Sequence, residues 1–180
     1  GTVTAKAAGE CGLAEGTPVV AGGLDAACGT LGVGVLRDGE TQEQGGQAGG
    51  MSICVEEYRA DPRLILSHHV VPGRWLLQGG TVGGGGVCRW MEAEFCAAER
   101  QAALQNGTGP FQELDRTAAW APAGSDGVVF LPYMAGERSP IWDEHAKGVF
   151  YGLDFTKGRA HMLRAGLEGV AFSLRHNLEA

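Results

Sequence analysis

The chain has 180 residues and a mass of 18.7 kDa, with 44% apolar and 19% charged residues, a balance that supports a packed core and excludes wholesale disorder. Its formal charge of −7 gives no electrostatic footprint for nucleic acid and no polybasic signal for a membrane surface. Glycine is the departure, at 31 residues against roughly 7% of an average protein.

A phosphate-bearing small molecule stays open, because backbone N–H groups bind anions without net positive charge. No run approaches the ~18 apolar residues of a membrane span. The five cysteines (Cys11, Cys28, Cys54, Cys88, Cys96) are odd in number and form no C-x-x-C. They read as free thiols of a reducing cytoplasm, used as small hydrophobes. His68-His69 has no cysteine or acidic cluster in sequence reach, so no metal site is expected there. The chain opens on Gly1 inside an apparent element and reads as a piece of a longer polypeptide.

In chain order, residues 2–10 form a weak helix ended by Gly12. Thr17 to Ala21 is a short β-branched run between glycines, which predicts a buried strand. Leu24 to Gly34 is small and apolar with spaced glycines, fitting a closely packed helix. Arg37 to Glu40 is a turn. Residues 41–48 and 50–56 read as two strands around glycine pairs, with Met51, Ile53 and Val55 inward.

Trp75 to Gln78 is a short strand running into Gly79-Gly80-Thr81-Val82-Gly83-Gly84-Gly85-Gly86. A helix follows over 87–105, with Val87, Trp90, Met91 and Phe95 on one face and Glu92, Glu94 and Glu99 off it. Glu113 to Trp120 is a further helix and Val128 to Leu131 a strand stopped by Pro132. Residues 134–158 are loop-rich. Arg159 to Glu179 is the clearest helix, with Met162, Leu163, Leu167, Val170, Ala171, Leu174 and Leu178 on one stripe. Alternating strands and helices indicate an α/β chain.

Four places could carry chemistry. Asp25 stands just past the 17–21 run, behind Gly22-Gly23, where α/β proteins put catalytic groups. It can accept a hydroxyl proton, hold Mg²⁺, or simply cap a helix. The run Gly45-Gly46-Gln47-Ala48-Gly49-Gly50 is either a phosphate nest or a ligand-free hairpin. The strand, GGTVGGGG and helix at 75–95 carry backbone donors into a helix N-terminus, but the segment is no Walker A motif and lacks a complete dinucleotide fingerprint. Close helix–sheet packing is the other reading of its glycines. The fourth, Gly136-Glu137-Arg138-Ser139-Pro140-Ile141-Trp142-Asp143, is either a functional loop or a structural ion-pair cluster.

Taken together, GTPVVAGGLDAACGTLGVGV (16–35), GGQAGGMSICVE (45–56), LLQGGTVGGGGVCRW (76–90), LPYMAGERSPIWDEHAKGVFYGL (131–153) and the closing helix resemble the FGGY carbohydrate kinases, xylulokinase-like branch. The resemblance covers nearly the whole chain. It implies an actin-like, ribonuclease H-like ATPase fold, present in part: residues 1–36 as the end of the first, sugar-binding domain, and 37–180 as the first part of the nucleotide-binding domain. It implies ATP-dependent, Mg²⁺-assisted phosphorylation of a sugar hydroxyl, with a ketopentose such as D-xylulose as acceptor.

By that resemblance Asp25 is the catalytic base. Gly45, Gly46, Gln47 and Ala48 touch the terminal phosphates, and Gly79, Gly84, Gly85 and Arg89 line the α-phosphate and ribose. Gln47 departs from the family's usual threonine. Without the family's N-terminal phosphate motif and its later adenine-contacting motif, these 180 residues alone are expected to be catalytically silent, and exposed apolar cleft surface is expected to favour self-association. Other readings are a glycerol or ribulose kinase, a non-catalytic nucleotide-binding module, and a dinucleotide-dependent oxidoreductase.

Overall fold

A computed structural model describes residues 1–180. Helix α1 (Ala5–Cys11) is capped at its start by the Thr4 hydroxyl, which accepts the Ala7 N–H at 3.3 Å, and ends where Gly12 takes a left-handed φ of 68°. Expected as a buried strand, residues 17–21 form none. Their one bridge is Thr2 to Pro18, and Val20 is 85% exposed, because no sheet neighbour covers the run. Helix α2 (Asp25–Gly32) follows and buries only Ala27 and Thr30, less closely packed than its glycines imply.

Strands β1 (Thr41–Gly45), β2 (Gly49–Val55), β3 (Ile65–His68) and β4 (Trp75–Thr81) make one antiparallel sheet in the order β1-β2-β4-β3. The β1–β2 hairpin pairs Gly45 with Gly49 around the turn Gly46-Gln47-Ala48. Opposed residues share a face, and the register sets Ser52 against Gln78 and Cys54 against Leu76. Those four side chains are buried, and Cys54 and Leu76 form a small core with Ala27, Val35 and Val70. Met51 and Ile53, expected inward, are only half-buried on the other face. Val55, also expected inward, is buried, and polar Ser52 and Gln78 are buried on the opposite face, where Gln78 Nε2 donates to Ser52 Oγ at 3.4 Å.

Beyond the sheet, α3 (Gly85–Phe95) and α4 (Ala97–Asn106) replace the single helix expected over 87–105, broken at Cys96 where ψ rises to 38°. Helix α5 (Pro110–Ala118), a 3-10 turn at Ser125–Gly127, and the pair β5 (Val129–Leu131) and β6 (Val149–Tyr151) lead to α6 (Arg159–Glu179). Val87, Met91, Leu114, Val128, Phe130 and Leu163 form the larger core between α3, α5, β5 and α6. Glu99, expected off the apolar face, is buried instead. It takes a two-pronged contact from Arg159 (2.8 and 2.9 Å) and the Thr117 hydroxyl at 2.7 Å.

Helix α6 has the bounds expected from its periodicity, but its buried stripe is Leu163, Ala165, Gly166, Gly169, Ser173 and Asn177, while Ala171 and Leu178 are exposed. The small residues decide the rotation. Gly169 lies against the Phe130 main chain and Gly166 against the Met91 side chain, an approach that larger residues would block. The C-terminal half of α6 then lies across the outer face of the sheet, with Leu174 against Gly49 and Asn177 against Gly79. No helix is long and apolar enough to cross a membrane.

Candidate active site

A cleft of about 470 Å³ opens between the start of α2, the β1–β2 turn and the glycines of β4. Leu24, Asp25 and Ala26 form one wall; Gly45, Gly46, Gln47 and Ala48 form the rim; Gln78, Gly79 and Gly80 floor it. Segments more than a hundred residues apart in sequence, from Asp25 to Arg138, thus meet around one space. Two charged side chains line it, Asp25 and Arg138.

Asp25 is the first helical residue of α2, with Leu24 at the cap position. Its Oδ1 accepts the Ala26 N–H at 2.8 Å, and the carboxylate sits exposed at the positive end of the helix dipole. It is well placed to meet a ligand in the cleft.

The turn is fixed from behind by α3. Gly85 and Gly86 donate their N–H groups to Gly46 O (2.8 Å) and Gln47 O (2.9 Å). Gly84 packs so tightly on the Ala48–Gly49 peptide that an added Cβ would stand 2.5 Å from Gly49 N. Within the turn the Gly46 N–H points to Ala48 O at 2.9 Å. Three donors that a free nest or helix end would offer an anion are therefore engaged inside the protein, and the glycine-rich segment serves close packing.

Asp25, Gly45, Gly46, Gln47, Ala48 and Gly79 are brought together. Gly84 and Gly85 buttress the turn from outside the cleft, and Arg89 is exposed on α3 away from it. Gln78, Gly80 and Arg138 were not singled out for this site, although the Gly136–Asp143 motif had marked the loop that carries Arg138.

That loop is closed by Glu137 and Asp143, which exchange N–H···O bonds at 2.8 and 3.0 Å. The Glu137 side chain, 5% exposed, reaches back to the end of β4. It accepts the Thr81 hydroxyl at 2.5 Å, the Val82 N–H at 2.9 Å and the Arg138 N–H at 2.7 Å. Burial, and then this carboxylate, push the nearby Tyr133 phenol above its ordinary pKa. The double histidine has structural partners: His69 Nε2 meets Val35 O at 3.0 Å, and His68 stacks on Trp75.

With this geometry in place, residues 53–180 match the pattern of the FGGY family of carbohydrate kinases, C-terminal domain. The chain belongs to that family. The gluconokinase of Bacillus subtilis (strain 168) is 34% identical over 166 residues, covering 92% of this chain and 32% of the relative. The autoinducer-2 kinase of Yersinia pestis (strain Pestoides F) is 39% identical over 185 residues, covering 99% and 34%. The crystal structure of xylulose kinase from Rhodospirillum rubrum superposes with a TM-score of 0.83 at 37% identity, again over 99% of this chain and 34% of that one. The chain thus spans about a third of the length of these relatives. Its architecture is mixed α/β, part of the actin-like ATPase fold of FGGY kinases.

Proposed function

We propose that these 180 residues form the cleft-lining third of an ATP-dependent sugar kinase, with residues 1–36 ending its sugar-binding domain and 37–180 beginning its nucleotide-binding domain. The observation that carries the reading is the convergence of Asp25, the Gly45–Ala48 turn and Gly79 on one cleft. A base facing a glycine turn is what phosphoryl transfer requires, since positioning and electrostatics supply most of that catalysis.

In this reading Asp25 takes the proton of the sugar hydroxyl as its oxygen bonds to the γ-phosphorus. The bond from that phosphorus to the bridging oxygen breaks, and its electron pair leaves with ADP. Gly45, Gly46, Gln47 and Ala48 shape the rim against the terminal phosphates, with the Gln47 side-chain amide lying against Gly86 of α3. Gly79, Gly84, Gly85 and Arg89 belong to the nucleotide side, Gly84 and Gly85 by holding the turn. Mg²⁺ fits as the counter-ion of the nucleotide. Asp25 is the one carboxylate lining the cleft and no three metal-ligating side chains are grouped, so phosphate oxygens would provide most of its ligands. When bound, the ion neutralises phosphate charge.

The acceptor we favour is a ketopentose such as D-xylulose, on the 0.83 superposition with a xylulose kinase. Gluconate is the second reading, on the 34% identity with a gluconokinase. A cytoplasmic setting agrees with five unpaired cysteines. The test is ADP release with Mg·ATP and a panel of D-xylulose, gluconate, ribulose and glycerol, run on the complete kinase and on the 180-residue chain. Turnover by the complete protein, silence of the short chain, and loss of turnover with nucleotide affinity kept in Asp25→Asn are expected. Silence toward every sugar, or full activity of Asp25→Asn, would refute the reading.

A further inference from the structure

Nine of the eleven arginines pair with a carboxylate within 4.0 Å; the two that do not are Arg89 and Arg138. Of these two, only Arg138 lines the cleft that holds Asp25. Its main chain is held on both sides, the N–H by Glu137 Oε1 at 2.7 Å and the carbonyl by the Trp142 N–H at 2.6 Å, while its exposed guanidinium makes no bond within the chain. A loop anchored this firmly around one free cation is poorly explained as random surface.

The cleft needs such a cation. A nucleotide triphosphate brings several negative charges toward Asp25, and the N–H groups of Gly46, Gly85 and Gly86 are already engaged. We propose that Arg138 is the phosphoryl-binding cation of this cleft, contacting the terminal phosphate oxygens of the bound nucleotide, and that buried Glu137 is its positioning residue. The inference rests on the kinase reading above.

The guanidinium fork suits two phosphate oxygens at once, and in a site that excludes water such a contact strengthens as charge shifts during transfer. Glu137 has no cation of its own. Its three accepted bonds tie the start of the 137–143 loop to Thr81 and Val82, the residues between the cleft floor and the glycines that brace the turn. Cation, floor and turn are thereby placed relative to one another by a single carboxylate.

The test uses the complete kinase with Mg·ATP and whichever sugar it accepts. Arg138→Ala is expected to lower kcat by about 100- to 1000-fold, as for other preorganised donors to a reacting oxyanion. The KM for sugar should stay within about threefold, since a contact to the reacting phosphoryl acts mainly in the transition state. Added guanidinium chloride at millimolar concentration should restore at least about tenfold of the loss in Arg138→Ala and nothing in Asp25→Asn, because only the former removes a guanidinium from the reacting phosphate. Glu137→Gln, which keeps the shape but not the charge, should lose about tenfold in kcat at unchanged sugar KM through misplacement of the cation.

If Arg138→Ala keeps kcat within threefold while Asp25→Asn is silent, the proposal is wrong and the kinase reading stands. A loss in Arg138→Ala that guanidinium cannot restore marks a structural role and also overturns it. Glu137→Gln within threefold of wild type removes the positioning role. An active Asp25→Asn refutes the kinase reading itself.

Discussion

Glu99 and Arg159, 60 residues apart in sequence, meet through both carboxylate oxygens and both terminal guanidinium nitrogens at 2.8 and 2.9 Å. The carboxylate is 4% exposed while the guanidinium side chain is 44% exposed, so the acid bears most of the burial. Replacing Glu99 by Ala strands the Thr117 hydroxyl and leaves Arg159 unpaired. A loss of about 1–3 kcal/mol is expected, read as a lower midpoint in urea with unchanged slope. An unshifted midpoint would show that solvent replaces the pair without cost.

Gly84→Ala tests the brace behind the turn. Its Cβ would press on the Ala48–Gly49 peptide, which is backbone and cannot swing aside. Overpacking of this kind costs about 1–3 kcal/mol. The complete kinase should lose turnover as well, because the displaced turn forms the rim opposite Asp25. Wild-type stability and turnover together would mean that the hairpin yields freely.

Thiol labelling should divide the cysteines. Cys11 and Cys28 are exposed, whereas Cys54 and Cys96 are buried and Cys88 is partly so. Burial pushes the Cys54, Cys88 and Cys96 thiols up from their ordinary pKa, which removes the reactive thiolate near neutrality. Two fast equivalents of five are expected with a thiol-specific dye at pH 7.5, and all five after unfolding in guanidinium. A third fast equivalent under native conditions would place one core cysteine in an open segment.

Acid should weaken the fold within a defined window. The Arg63 side-chain hydrogen bonds, with its N–H second, hold the Asp61 carboxyl at about 2. Backbone N–H bonds from Leu36 and then Arg37 lower Glu40, the Thr108 hydroxyl lowers Glu113, and Thr156 lowers Asp154. A carboxylate depressed in the folded state stabilises it above the unfolded value, and that contribution is lost as pH falls through the folded one. Stability should therefore decline from about pH 4 toward pH 2. Asp61→Asn should flatten the lowest part of that decline, and an unchanged acid profile in this variant would remove Asp61 from the account.

Sequence patterns were most informative where one face meets one core. The bounds of α6, the Gly12 stop of α1 and the Gly45–Gly49 hairpin all follow from local signals. The phase of burial did not. On α6 the decisive residues are Gly166 and Gly169, whose absence of side chain lets Met91 and Phe130 approach, and a pattern of apolar residues gives them no weight. In β2 Val55 is buried as its alternation implies, but the buried polar pair Ser52 and Gln78 on the opposite face carried no apolar signal. Within the cleft, Asp25 and the 45–48 turn were legible as segments. Arg138 was visible only as part of a charged loop, because its place in the cleft depends on how the fold brings that loop, through Glu137, to the end of β4.

Helix α6 has a consequence for how the protein melts. At 21 residues it is about 30 Å long. One half lies on Met91 and Phe130 in the large core, and the other half lies on Gly49 and Gly79, which border the cleft. A rod shared in this way makes the cleft wall and the apolar core a single cooperative unit rather than two. Amide hydrogens of β2 and β4 should exchange at the same free energy as those in the middle of α6, and heat should take binding and fold away at one temperature.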